Sequence, residues 1–433
     1  MVSLSLFLSL ILLQFQGPQI TDGYSYPLSV MPGDSLNVYI NAYEKLKGHS
    51  IKLYNLEGKE VASFKGDLFP QERAGQKPWE TGFGYRPSLK IVTPNLKSGV
   101  YMWENKIPLI IRTYNPKIVV VYTSNTENAY SNAGGKGLYG YNSTDNKPST
   151  IVSFKRPINL PKHSESFLRW FAKQNYKDVG YLTDADLDNY SEWKKAELLL
   201  VIGHNEYWTL EARRNFDRFV SEGKNVLVLA GNSMWWQVRY SKNKDQLICY
   251  KLVKDPVKSK RLKTTNWTDP LLEYPIASSI GAEFPRAGYG RKEDKGWDGY
   301  KIITQSPLLE GTKLKPGDIL SLPSDENDGA PLLGFDKKEY PIIDHQSLGF
   351  EKVEIVGFDH VFRNQEGIAT WIVFKKKKSS GIIINVASTD WCSSQGMGNP
   401  DVLKITLNMI NKLLHKENVF STGGENHTAR QKP

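Results

Sequence analysis

A chain of 433 residues, 39% hydrophobic and 12% aromatic, is long enough to build two or three domains with sizeable cores. Its 56 basic and 46 acidic residues leave a formal charge of +10. No basic run is interleaved with aromatics, which argues against a nucleic-acid partner.

Residues Leu4–Leu13 form an apolar segment bounded by Gln14, Gln16 and Gly17. It is too short to span a membrane and fits the apolar region of a secretory signal, although no Lys or Arg precedes it and no A-x-A cleavage site follows. Residues 1–17 are therefore expected to be a signal segment. The mature protein is expected to be secreted or periplasmic, with no membrane association and a start near residues 17–24. A cytoplasmic location follows if the segment is not a signal.

Residues 18–113 read as short strands and turns. SLNVYINA alternates after the turn MPGD, and IKLYNLEGKEVASF reads as a hairpin turning at Glu57-Gly58. Pro94-Asn95 and Lys97-Ser98-Gly99 punctuate the approach to VYMWEN. This spacing predicts a small Ig-like β-sandwich.

From Lys117 strands alternate with helices, predicting an α/β domain with a parallel sheet over residues 114–416. KIVVVYT is a buried strand, and SNTENAYSNAGGKGLYGYNS is a long loop rich in Asn, Gly and Tyr. SESFLRWFAKQ is a helix with Phe167, Trp170 and Phe171 inward, and VGYLTD is a strand. The next stretch, LLLVIGHNEYW, organises the rest. Leu198–Ile202 is an unbroken apolar run of the kind buried on both faces of a sheet, followed by Gly203 and the polar cluster His204, Asn205, Glu206 and Tyr207. Thr209 can cap the helix TLEARRNFDRFVSEG. Such a cluster can serve only to cap that helix, but strand ends of this kind are also where open sheets bind ligands. If the chain stays extended, His204 and Glu206 project to one side. NVLVLAGNSMWW ends in the same way, at Gly231 and Asn232, followed by Trp235 and Trp236.

Residues Asn243–Gln305 are polar and are expected to pass over this edge. Lys375–Lys378 separates TWIVF from GIIINVAS and reads as a solvated hairpin turn. VASTDWCSSQGMG is expected to return a loop to the same edge. Asp401–His415 is the last helix, and residues 417–433 read as a disordered tail. Cys249 and Cys392 include no CxxC pair, so they supply no zinc or iron–sulfur site of that kind, and whether they pair is open. No G-x-S-x-G elbow or G-x-C-x-G turn is present.

GHNEYW with TLEARRNFDRFVSEGKNVLVLAGN behind it, the AYSNAGGKGLYGYNS loop and the closing ASTDW resemble the catalytic domain of the large (beta) subunit of N,N-dimethylformamidase over roughly Lys117–Leu414. The PGDSL and SGVY phrases resemble that family's N-terminal module. The resemblance implies a glutamine-amidotransferase-like fold and a mononuclear iron bound by two tyrosines and a glutamate. By motif, Tyr130, Tyr139 and Glu206 match the ligands, with Tyr141 the rival to Tyr139. His204 and Asn232 match polar positions around the iron. Asn205 stands where the family often shows Asp.

Two phenolates and a carboxylate form a hard oxygen set that suits ferric iron better than zinc or copper. With such a metal, hydrolysis of an amide C–N bond needs no protein nucleophile, and His204, Glu283 and Asp390 are candidate bases. The competing expectation is an exported, non-catalytic protein binding carbohydrate or a surface polymer, suggested by 11 Trp and 22 Tyr. A small-molecule amide is the expected partner, and a homo-oligomer is left open.

Overall fold

The computed structural model describes residues 20–251, 253–290, 296–362 and 365–421. The expected signal segment lies outside them, as do residues 422–433 of the expected tail. Among the described residues no helix is long and apolar enough to cross a membrane.

The first module pairs Ile20–Tyr26, Ser35–Ala42 and Leu89–Val92 in one sheet. A second sheet runs Ser29–Val30, Ile107–Ile111, Gly99–Trp103, Leu46–Asn55, Glu60–Leu68. Alternation in SLNVYINA sends Leu36, Val38, Ile40 and Ala42 inward, into one core with Ile51, Leu53 and Trp103 of the other sheet. The turns follow their chemistry. The Asp34 carboxylate accepts from the Met31 N–H at 2.8 Å, and Gly58 takes a φ of 80° in the hairpin turn beside Asn55.

The second module is organised by one large mixed sheet. Its parallel half has the order Val179–Thr183, Ile118–Tyr122, Leu198–His204, Asn225–Gly231, Ile382–Asn385. It continues in antiparallel pairing through Glu366–Lys375, Lys352–Phe362, Glu283–Tyr289 and Glu326–Gly329. Successive residues of the central strands enter different cores. Leu199 and Val201 pack on one face with Phe216, Phe219 and Val220 of the Leu210–Ser221 helix. Leu198, Leu200 and Ile202 pack on the other with the Glu165–Ala172 and Pro400–Leu414 helices. Thr209 caps its helix by accepting from the Ala212 N–H at 3.0 Å.

The expectation of a glutamine-amidotransferase-like α/β fold with a parallel sheet is overturned. Strand makes up 36% of the structure and helix 20%, and the large sheet joins a parallel half to an antiparallel half. The reason is physical. Unbroken apolar runs report burial on both faces, and both kinds of ladder meet that condition here. Glu366–Lys375 is buried at eight of its ten positions although its neighbours are antiparallel. Three local readings also change. The long tyrosine-rich loop opens with a helix, Ser124–Tyr130, too polar and short to show an apolar stripe. The Asn243–Gln305 stretch supplies strands Gln246–Ile248, Glu283–Tyr289 and Gly299–Ile302. Residues 419–421 are packed, with Val419 and Phe420 buried and Ser421 bonded to Glu354. The Lys375–Lys378 hairpin forms as read, pairing Lys375 with Ile382. Both cysteines are free and buried.

Candidate metal centre

The Leu198–His204 strand delivers the GHNEYW cluster to the end of the parallel half. Gly203 has a φ of 69°, and a Cβ there would lie 2.9 Å from the Ser164 Cβ, so the turn before the Glu165–Ala172 helix packs directly on the strand end. The Glu206 N–H is held by the Thr126 hydroxyl at 3.1 Å. That ties the cluster to the Ser124–Tyr130 helix, whose start is anchored by the buried Asp184 carboxylate accepting from the Asn125 N–H at 2.7 Å. The glycine-rich loop after this helix is clamped by the buried Arg156 guanidinium, which donates to the carbonyls of Asn128, Ala133 and Lys136. Tyr130, the last helical residue, and Tyr139, beyond the glycines, are thereby brought into contact, with ring centroids 4.5 Å apart and planes tilted by 38°.

Their hydroxyls meet Glu206 in sequence. Tyr130 Oη donates to Tyr139 Oη at 3.1 Å, and Tyr139 Oη donates to Glu206 Oε1 at 2.6 Å. Glu206 Oε2 is buried and makes no hydrogen bond. His204 Nε2 lies 3.3 Å from that oxygen and 3.2 Å from Glu326 Oε2, at ion-pair distance from both. Asn232 Nδ2 donates to Glu326 Oε2 at 2.8 Å. The residues read from the motifs, Tyr130, Tyr139, Glu206, His204 and Asn232, are thus brought together. Tyr141 is not in the hydroxyl chain and is 71% exposed. Of the other candidate bases, Glu283 pairs with Arg286 at 2.7 Å. Asp390 reaches the cluster only through His163: its Oδ1 is 3.5 Å from His163 Nδ1, and the His163 ring stands edge-on to His204 at 5.7 Å. His163, Asp325 and Asp390 form a neighbouring group whose ligand atoms lie within 4.8 Å of one another.

Burial, then the Glu206 charge, pushes both tyrosine hydroxyls far above their ordinary value. Burial alone would lower the His204 imidazolium, but the Glu326 and Glu206 carboxylates override it and raise it to about 10. Burial would raise the Glu326 carboxyl, and His204 holds it below its usual range. Three residues went unseen in the sequence, His163 in its loop among them. Glu326 sits in PSDEND, which reads as a turn, and enters the site only because its strand joins the antiparallel half. Lys251 places Nζ 3.2 Å from the Tyr139 ring centroid. Burial lowers its ammonium to about 8, and no local pattern marks it.

The oxygen set fits a trivalent cation. Three hard donors lie in one hydrogen-bonded row, the second Glu206 oxygen is buried with only the His204 ring at ion-pair distance, and two phenolic protons stand between the present site and three negative charges.

Fold and site together define a strand-rich chain with a buried phenol–carboxylate–imidazole centre at the end of its parallel strands. The family model described as N,N-dimethylformamidase beta subunit-like, C-terminal, matches residues 57–401, and the chain belongs to that family. No curated protein matches it. Among solved structures, a thua-like protein from Bacteroides uniformis is 12% identical, with 71% of this chain and 94% of that one covered and a TM-score of 0.35. The mmIFT52 N-terminal domain is 11% identical, with 59% and 91% covered and a TM-score of 0.33. At those scores neither bears on fold or function.

Proposed function

We propose that this chain hydrolyses the C–N bond of a small, non-peptide amide with one ferric ion held by Tyr130, Tyr139 and Glu206. The observation that carries the reading is the convergence of Tyr130 Oη, Tyr139 Oη and Glu206 Oε1, spaced 3.1 and 2.6 Å apart, around a buried carboxylate. A ferric ion there would polarise an amide carbonyl and acidify water.

The chain's own groups complete the chemistry. Glu326 Oε2 can take a proton from the attacking water. His204 Nε2 can give one to the departing amine nitrogen. The proton on Glu326 then returns to His204 across 3.2 Å, so the products are a carboxylic acid and an amine and both residues regain their starting state. Asn232 holds the Glu326 oxygen that performs this exchange. No serine or cysteine nucleophile is required, in keeping with the missing elbow motifs.

The test is metal analysis with a visible spectrum, since phenolate on ferric iron absorbs in the visible. Coloured protein carrying one iron per chain and releasing dimethylamine from N,N-dimethylformamide or a related amide is expected. Colourless protein that takes up no iron on reconstitution refutes the reading and favours a non-catalytic binding protein.

A further inference from the structure

Two large aromatic side chains stand in solvent beside the buried centre. Tyr141 is 71% exposed, and its ring centroid is 5.5 Å from that of Tyr139. Tyr289 is 52% exposed and is the direct cross-strand partner of Glu326 in the antiparallel ladder. Directly paired residues send their side chains to the same face with Cβ atoms roughly 5 Å apart, so Tyr289 rises beside the Glu326 carboxylate. Behind it the aromatic surface continues inward, with Phe284 edge-on to Tyr289 at 5.2 Å and Trp235 6.1 Å from Phe284. One exposed tyrosine therefore adjoins the phenol end of the centre, and the other adjoins the carboxylate that faces His204.

A substrate the size of dimethylformamide, with its amide at the centre, would leave both rings in water. We propose that Tyr141 and Tyr289 form the outer wall of the substrate site and select an amide carried on a six-membered ring, one face of which stacks on them while the amide reaches Glu206 and Glu326. This rests on the amide-hydrolase reading. The shared chemistry is a ring face against a tyrosine face, supplied by an aryl amide or by a pyranose bearing an N-acyl group. Each such contact is worth about 2- to 10-fold in affinity.

The experiment measures equilibrium binding of formanilide, N-acetylglucosamine and N,N-dimethylformamide to the full chain as purified, followed by intrinsic fluorescence and calorimetry. At least one ring-bearing probe is expected to bind about 10-fold or more tighter than dimethylformamide, and which one does so identifies the ring. Tyr141→Ala and Tyr289→Ala are each expected to weaken that probe by about 3- to 10-fold, whereas Tyr141→Phe retains the ring and most of the affinity. Tyr114→Ala, at a tyrosine 77% exposed elsewhere on the surface, is the control and is expected to change nothing. Ring probes that bind no tighter than dimethylformamide, or alanine variants that bind them as wild type does, overturn the proposal. Binding is read without turnover. A ring amide that binds in a Tyr141-dependent way and is never hydrolysed refutes the hydrolase reading alone, and dimethylformamide hydrolysis without ring preference refutes this proposal alone.

Discussion

Tyr139→Phe removes one oxygen atom from the middle of the centre and leaves the ring that packs against Tyr130. That oxygen has two duties in the structure, donating to Glu206 Oε1 at 2.6 Å and accepting from Tyr130 at 3.1 Å. In metal-free protein the loss is mainly the bond to the charged, buried carboxylate, worth about 1.5–3 kcal/mol. Tyr130→Phe removes only the hydroxyl–hydroxyl bond, worth about 0.5–1.5 kcal/mol. Because the hydroxyl–hydroxyl bond is lost in both variants, metal-free Tyr139→Phe should be the less stable of the two by the carboxylate bond alone, about 1.5–3 kcal/mol, read from their denaturant unfolding curves. With iron the two converge, because each loses one of three ligands. Losing an outer partner of a ligand typically costs about 10–100-fold in metal affinity, so losing a ligand should cost at least about 100-fold. Metal content and the visible band are the readout. A Tyr139→Phe protein that keeps its iron and its colour, or a Tyr130→Phe protein that is the less stable of the two without metal, would show that the hydroxyl chain is not the ligand set.

Asn232→Ala should lower turnover by about 10-fold or more while iron content stays near normal, because the lost amide holds Glu326 and not a proposed ligand; an equal loss of iron, measured by elemental analysis, would place it in the metal shell. Gly203→Ala puts a Cβ 2.9 Å from the Ser164 Cβ at a φ of 69°, and about 2 kcal/mol of strain should lower the melting temperature by several degrees. An unchanged melting curve would mean that the turn moves aside freely. Burial would raise the Asp255 carboxyl, but the Arg239 guanidinium, 2.6 Å away, and the N–H groups of Val257 and Thr264 hold it well below the usual carboxylate range. A depressed folded value contributes stability above the unfolded carboxylate pKa and loses it as pH falls through the folded one. The melting-temperature gap between wild type and Asp255→Asn should therefore be widest near neutrality and narrow below about pH 4; a gap independent of pH would refute the ion-pair account.

The local code marked several of the strands and turns. Alternation in SLNVYINA, the glycine of LEGK, the apolar run Leu198–Ile202 and the Thr209 cap are nearest-neighbour effects, and each formed where the pattern placed it. The motifs around Tyr130, Tyr139, Glu206, His204 and Asn232 also marked the residues that the fold draws together: all but Tyr139, which lies in the glycine-rich loop, sit where a strand or helix ends in polar chain. What the tertiary structure decided was direction and company. An apolar run buried on both faces carries no sign of whether its neighbour is parallel or antiparallel, so the sheet was expected to be parallel and is mixed. Glu326 lies in a turn-like phrase 120 residues beyond Glu206, and His163 is a lone histidine in a loop. Neither has a local signature. Glu326 enters the site through the antiparallel ladder that pairs it with Tyr289, and His163 stands beside His204 because Gly203 lacks the Cβ that would keep its loop away. Residue types that can do the chemistry are written along the chain, but the distances between them depend on long-range packing, which no short stretch of sequence encodes.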